Sequence, residues 1–293
     1  MKMNQTETNY SQTQGIKLLD AAIQAYGPVF SLDQLKPIAK EQQLSIAHLR
    51  VIISSLAAAG WIEIIKRGTY VVKSPIFTED ISPFAIANAL IQPIAISHWS
   101  ACAQHGFTTQ NPVMIQASTP KKIVTPEMRT GQADNPRGRA IWHAYDIQFE
   151  FIHVHQKRFW GFNRLWLNSW QQVNITDPER TALDLIARPD VFGGLSAAIE
   201  ILEEAINQIN LDLLITYTIR YKIGSIVKRM GWILERLGAD LDALQPLLEY
   251  PQSNYVLLDP ARSSGQSDIA RKNEDWKIID RKSTRLNSSH GKL

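Results

Sequence analysis

Apolar residues recur at helical spacing at the start of the chain. Ile16, Leu19, Ile23 and Tyr26 share one face, and Gly27-Pro28 ends that helix. Pro28-Val29-Phe30 has room only for a short extended piece. Ser31 stands as an N-cap before a second short helix carrying Leu32, Leu35, Ile38 and Ala39. Ser45 caps a third helix from Ile46 to Ala59, whose predicted core face is Ile46, Leu49, Ile53 and Leu56, and Gly60 closes it. Two extended segments follow, Trp61–Ile65 and Thr69–Val72, joined by Lys66-Arg67-Gly68 as a hairpin with two cations at its tip. Three helices and a two-stranded wing in that order predict a winged helix-turn-helix over residues 13–73.

Ser74-Pro75 marks the predicted boundary, and a second domain is expected over 82–280. Ser82-Pro83 opens a helix to Ile91, and Ser97 caps another that closes at His105-Gly106. The periodicity then changes to two, with strands expected at Val113–Ala117, Lys121–Val124 and Ile147–Val154. Residues 126–140, rich in Gly, Pro, Asn and Arg, read as an exposed loop or hairpin tip. Phe159–Phe162 and Trp166-Leu167 add aromatic, strand-like pieces. From Asp177 the pattern is helical: Asp177-Pro178-Glu179 is a helix start, Gly193-Gly194 opens the next helix, and Leu211–Tyr221 and Ser225–Leu237 give two more. The fold class expected is α+β, a winged helix-turn-helix followed by a larger α+β domain with a helical C-terminal half.

Composition narrows the class. Hydrophobic residues make up 44% and charged residues 20% of the 293, the balance of an ordinary globular protein. No apolar run is long enough to span a bilayer, and the opening MKMNQTETNYSQTQ is too polar for a secretory signal. Cys102 is the only cysteine, which excludes an intramolecular disulfide and a CxxC metal site and fits a reducing cytoplasm. The net charge of +3 is not evidence for nucleic acid. Residues 281–293, RKSTRLNSSHGKL, hold four basic residues and no acid; without them the balance is 27 basic to 28 acidic. That segment breaks in composition from what precedes it and reads as a non-native or disordered tail.

Local charge carries more information than the total. A helix of this kind fits the major groove, where His48 and Arg50 would meet base edges and Ser45 and Ser54 would meet phosphate or bases. Lys66 and Arg67 at the wing would hold phosphates or the adjacent minor groove. Residues 1–73 carry eight basic and five acidic side chains, a modest excess that suits binding as a dimer or with a second basic surface. In the second domain, Arg220, Lys222, Lys228, Arg229 and Arg236 form a basic run with one acid, Glu235, between residues 217 and 236. It is a candidate surface for phosphates or an acidic partner, with a solvated helix face as the plain alternative.

Three segments of the second domain resemble the AbiEi family of antitoxins. They are Ser97-His98-Trp99-Ser100-Ala101 with His105-Gly106; Asp177-Pro178-Glu179-Arg180-Thr181-Ala182-Leu183-Asp184 with Pro189 and Gly193-Gly194; and Lys228-Arg229-Met230-Gly231-Trp232-Ile233-Leu234-Glu235 with Leu237-Gly238. Arg67-Gly68-Thr69-Tyr70 is similar to that family's wing, and the resemblance runs from about residue 13 to 280 in order. It implies a cytoplasmic antitoxin, not an enzyme, whose first domain binds repeats in its own promoter and represses its operon. It further implies a nucleotidyltransferase-like toxin as functional partner, counteracted without a stable complex.

Other chemistry is weaker. Asp177, Glu179 and Asp184 form a conceivable carboxylate metal site, but capping plus a solvated acid accounts for the first two, and Arg180 reads as an internal salt-bridge partner. His153 and His155 share a strand face without a second ligand pair at suitable spacing. Cys102 reads as a buried small hydrophobe. No metal or cofactor is expected. Two alternatives stay open: a nuclease-like second domain, for which only Glu150 with Lys157 is at hand, and a ligand-sensing domain in which the aromatic segment 159–170 lines a pocket.

Overall fold

The structure is a computed structural model that describes residues 5–73, 77–132, 138–261 and 270–281, with backbone alone for residues 5–13 and Ala270. The chain divides into two compact units: 1–96 with 113–175, and 97–112 with 176–293. These units are drawn by compactness, and they group residues otherwise than the expected 13–73 and 82–280. Ser74-Pro75, the expected boundary, lies outside the described residues, as do residues 282–293 of the expected tail; Arg281 ends a strand.

The first unit opens with α1 (Gln5–Tyr26), β1 (Val29–Ser31), α2 (Leu32–Glu41), α3 (Ile46–Ala58), β2 (Ile62–Lys66) and β3 (Thr69–Val72). The three strands form an antiparallel sheet in the order β1-β3-β2, with Val29 opposite Val71 and Ile62 opposite Val72. This is the winged-helix arrangement, and local chemistry sets its corners. Ser31 and Gln34 form a reciprocal capping box that starts α2 directly off β1, and the Ser45 hydroxyl accepts from His48 N to start α3. Leu18, Leu19 and Ala22 of α1, Leu35 of α2, Leu49 and Ile52 of α3, and Phe30 and Val72 of the sheet close one core. The core face of α3 differs by one turn from expectation. Ile46 is the first helical residue and is 43% exposed, while Ile52 is fully buried beside Leu49, Ile53 and Leu56. An i, i+3, i+4, i+7 stripe starting at Leu49 is the one that faces α1.

The same unit continues through α4 (Pro83–Leu90) and β4 (Ala95–Ile96). The chain leaves it for α5 (His98–His105) and returns with β5 (Ile115–Thr119), α6 (Pro126–Arg129), β6 (Arg139–Ala144), β7 (Ile147–His153), β8 (Phe162–Trp166) and β9 (Gln172–Thr176). These strands form a six-stranded mixed sheet in the order β6-β7-β5-β4-β9-β8. Its β5–β7 and β4–β9 pairs are parallel, and its β6–β7 and β4–β5 pairs are antiparallel. Residues 121–124, expected as a strand, pair with nothing and lie in coil. Conversely β6 starts inside the expected loop, and its burial alternates, with Ala140, Trp142 and Ala144 inward and Ile141 exposed. Phe149, Glu150, Phe151 and Ile152 of β7 are all buried, so this strand is covered on both faces.

Polar bonds tie the winged part to the sheet within this unit. Tyr145 N donates to Glu63 Oε1 at 2.7 Å, its hydroxyl donates to the Val72 carbonyl at 3.1 Å, and Trp170 Nε1 donates to the Gln24 carbonyl at 2.9 Å. Lys73 adds an ion pair to Asp146 at 3.7 Å. These cross-links, between residues far apart in sequence, explain why the winged segment does not separate from the sheet as a domain of its own.

The second unit is mainly helical: α5, then α7 (Pro178–Ala187), α8 (Leu195–Ala205), α9 (Leu211–Arg220), α10 (Gly224–Arg236) and α11 (Leu241–Leu248). A small sheet of β10 (Val256–Leu257), β11 (Ala270–Asn273) and β12 (Ile278–Arg281), in the order β10-β12-β11, completes it. Helix α7 is its centre, buried from Glu179 to Ile186 and packed against α5, α8, α9 and α10. The chain is thus an α+β protein. Among the described residues no helix is long and apolar enough to cross a membrane.

Candidate nucleic-acid interface

Helix α3 is amphipathic, and its outward side is where the expected readers lie. Ser45, Arg50 and Ser54 are exposed and His48 is half-buried. The Ser45 oxygen already accepts the cap bond from His48 N at 3.2 Å, so what it retains for a phosphate is its hydroxyl proton. The Arg50 guanidinium lies close enough to Tyr70 on β3 to oppose the upward push that burial gives that phenol.

Sequence reasoning missed Val51, which is 51% exposed on the same helix. With Ile46 it gives α3 an apolar outward surface between its polar groups, of the kind that meets thymine methyls in a major groove. The signal was available, because position 51 falls off the stripe formed by 49, 52, 53 and 56.

The wing carries one exposed cation at its tip, not two. Arg67 is exposed in the two-residue turn between β2 and β3. Lys66 ends β2 and points away from that role: its Nζ donates to the Leu90 carbonyl at 2.8 Å and to the Ala89 carbonyl at 3.4 Å. It satisfies the terminal carbonyls of α4, which have no partner in their own helix. Burial, and then the charge of Lys121, hold its ammonium below the usual lysine range. Lys66, expected to meet phosphate, makes this structural contact.

The basic run of the second unit also splits. Arg220, Lys222 and Arg236 are exposed, with the Arg236 guanidinium 4.5 Å from the Trp232 ring centroid. Lys228 and Arg229, expected on the same surface, are buried at 3% and 6% exposure. Lys228 Nζ donates to the Leu247 and Leu248 carbonyls at the end of α11, at 3.3 and 2.5 Å, and Arg229 donates to the Leu257 carbonyl at 3.0 Å. Burial lowers both their pKa values. On a 13-residue helix packed on several sides, two adjacent cations cannot both face water. They serve as the caps of neighbouring elements, as Lys66 does for α4.

The three segments that carry the family resemblance converge in the second unit. On α5, Trp99 Nε1 donates to the Val191 carbonyl at 3.1 Å and His105 Nε2 donates to the Thr176 carbonyl at 2.7 Å. Asp177 caps α7 through Arg180 N at 2.7 Å and accepts from the Tyr217 hydroxyl at 3.0 Å. Glu179 is not a solvated acid: it is buried and accepts from Asn210 N at 2.8 Å, where α9 begins. Arg180 and Asp184 form a buried i, i+4 ion pair at 3.0 Å. This is an architectural use of charge, in which each group satisfies a helix end or another charge. Burial, and next the neighbouring Asp184 carboxylate, push the Cys102 thiol up to about 12. No cluster of three or more His, Cys, Asp or Glu among the described residues could hold a metal ion.

Glu150, the one carboxylate held out for a nuclease-like centre, is 1% exposed and already bound. Its Oε1 pairs with Arg139 Nε at 2.5 Å and its Oε2 accepts from Gln116 Nε2 at 2.7 Å.

No family model and no curated protein matches the chain. In fold it is similar to the crystal structure of the Rv2827c protein from Mycobacterium tuberculosis, over 92% of this chain and 91% of that one, with a TM-score of 0.59. The two sequences are 16% identical, so the likeness concerns the fold alone.

Proposed function

We propose that this protein is a DNA-binding antitoxin that represses its own operon, and not an enzyme. The observation that carries the DNA-binding half is the outward surface of α3, with Arg50, Ser54, Val51 and the Ser45 hydroxyl, beside the exposed Arg67 of the wing. Helix and wing would engage double-stranded DNA as the major-groove reader and the backbone contact of one module. The antitoxin half rests on the resemblance of the three segments in the second unit. There the buried charges build the helical frame, and Arg220, Lys222 and Arg236 remain as the exposed cations for an acidic partner. The functional partner is a nucleotidyltransferase-like toxin neutralised without a stable complex, in the cytoplasm.

The test is equilibrium binding of the full chain to its own upstream DNA, followed by fluorescence anisotropy across a salt series. Arg50→Ala should weaken binding to the specific site by about 1–3 kcal/mol and flatten the preference over unrelated DNA. Arg67→Ala should weaken binding to all sequences alike and reduce the salt slope by about one. Lys66→Ala should leave the salt slope unchanged, since its Nζ faces the α4 carbonyls and not the wing tip. Absence of any sequence preference at every salt concentration would end the repressor reading.

A further inference from the structure

A cavity of about 640 Å³ lies within the first unit, at the root of the wing. That volume is in the range of sites for small metabolites. Its wall combines three kinds of group. Tyr26 and Trp170 supply aromatic surface; Asn88, Gln92 and Gln172 supply amides; Lys66 and Lys121 supply positive charge. No aspartate or glutamate is among the described residues that line it.

Two of the lining residues bring positive charge to this space. Lys66 uses two of its three N–H donors on the terminal carbonyls of α4, which turns the negative end of that helix into a positively faced wall. Lys121 is exposed beside the same space, and its charge disfavours the charged form of Lys66. Two like charges facing one cavity without a carboxylate repel each other, and an anion between them would relieve that repulsion.

The aromatic side is held in place before any ligand arrives. Trp170 donates to the Gln24 carbonyl at 2.9 Å, and its own loop is fixed by Asn168 Oδ1, which accepts from Trp170 N and Gln171 N at 3.0 and 2.9 Å. The indole packs on Gly27, whose φ of +79° and lack of a Cβ permit the approach; a Cβ there would stand 3.3 Å from the ring. A fixed aromatic surface, several amides and a pair of cations suit a ligand with a planar ring, a hydrogen-bonding edge and one anionic group.

The geometry points to a binding site for a nucleoside monophosphate in this cavity, its base on the aromatic side and its phosphate between Lys66 and Lys121. This inference is independent of DNA binding.

Isothermal titration of the full chain with the four 5′-nucleoside monophosphates, with inorganic phosphate and with adenosine tests it. The expected result is saturable binding of at least one nucleotide, at least tenfold tighter than phosphate or adenosine alone. Lys121→Glu, at an exposed position, should weaken that nucleotide about tenfold or more while leaving adenosine unchanged, as loss of a charge-assisted hydrogen bond requires. Ala25→Trp, at an exposed lining position on α1, should abolish nucleotide binding by filling the cavity, with circular dichroism confirming the fold of both variants. Failure of all four nucleotides to saturate at millimolar concentration would overturn the assignment. So would nucleotide binding that survives unchanged in both folded variants.

Discussion

Replacing Gly231 by alanine separates packing from helix propensity. Gly231 lies in the interior of α10, where a glycine ordinarily costs about 1 kcal/mol relative to alanine. On propensity alone, Gly231→Ala should stabilise the protein. The tertiary structure reverses the sign. An added Cβ would run into the Trp276 indole, overlapping Cζ3 and Cη2 and standing 2.8 Å from Cε3. The indole has nowhere to go: it is 1% exposed, and its Nε1 donates to Glu235 Oε2 at 2.5 Å, one turn along the same helix. Overpacking of this kind costs about 1–3 kcal/mol. Set against the propensity gain, the net is a destabilisation of up to about 2 kcal/mol, or a fall in Tm of up to about 6 °C. Urea unfolding followed by far-UV circular dichroism should show a lower midpoint with an unchanged m-value. In a Trp276→Leu background the same substitution should become neutral or stabilising, because the obstructing ring is gone. A rise in Tm for Gly231→Ala in the wild-type background would refute the packing argument.

Three further outcomes follow from the buried charges and the thiol. Arg180→Met should cost about 3–5 kcal/mol, since it leaves Asp184 as an unpaired carboxylate at 2% exposure; the double variant Arg180→Met/Asp184→Leu should recover most of it, and urea titrations in which single and double variants lose equally would count against the pair. Burial raises the Asp177 carboxyl above its ordinary value of 3.8, against the opposing bonds from Arg180 N and the Tyr217 hydroxyl. A raised value means the fold favours the protonated form, so this contribution is present below pH 3.8 and is lost as pH rises through the folded value. Asp177→Asn, an equally good N-cap, should flatten the stability profile above pH 3.8 without loss at neutral pH, and an unchanged slope would exclude Asp177 as its source. Cys102, fully buried with its thiol at about 12, should resist a thiol-reactive disulfide reagent at pH 8 until urea unfolds its helix; rapid labelling of the native protein would contradict its burial.

Much of the winged segment was legible because its signals are local. Ser31, Ser45 and Gly60 mark helix ends by their own backbone and side-chain chemistry, and the stripes at Leu35, Ile38, Leu49 and Ile53 need only helical geometry. The helix beginning at Asp177-Pro178 was legible for the same reason. Among the candidate readers, Arg50, Ser54 and Arg67 are exposed where the periodicity placed them.

What the sequence left undecided depends on partners distant along the chain. It determined which residues are cationic but not whether they meet water. Lys66 and Lys228 become helix caps because the ends of α4 and α11, 23 and 20 residues further on, come to lie beside them. Glu179 and Glu150 are buried because Asn210, Arg139 and Gln116 satisfy them there. The division into units was likewise invisible, since strands β4 to β9 pair out of sequence order and residues 97–112 pack with a helical unit that resumes 64 residues later. Periodicity reports the environment of a residue only through its near neighbours. Ladder order, buried charge and the walls of a cavity are set by contacts between distant segments, and those exist only once the chain has folded.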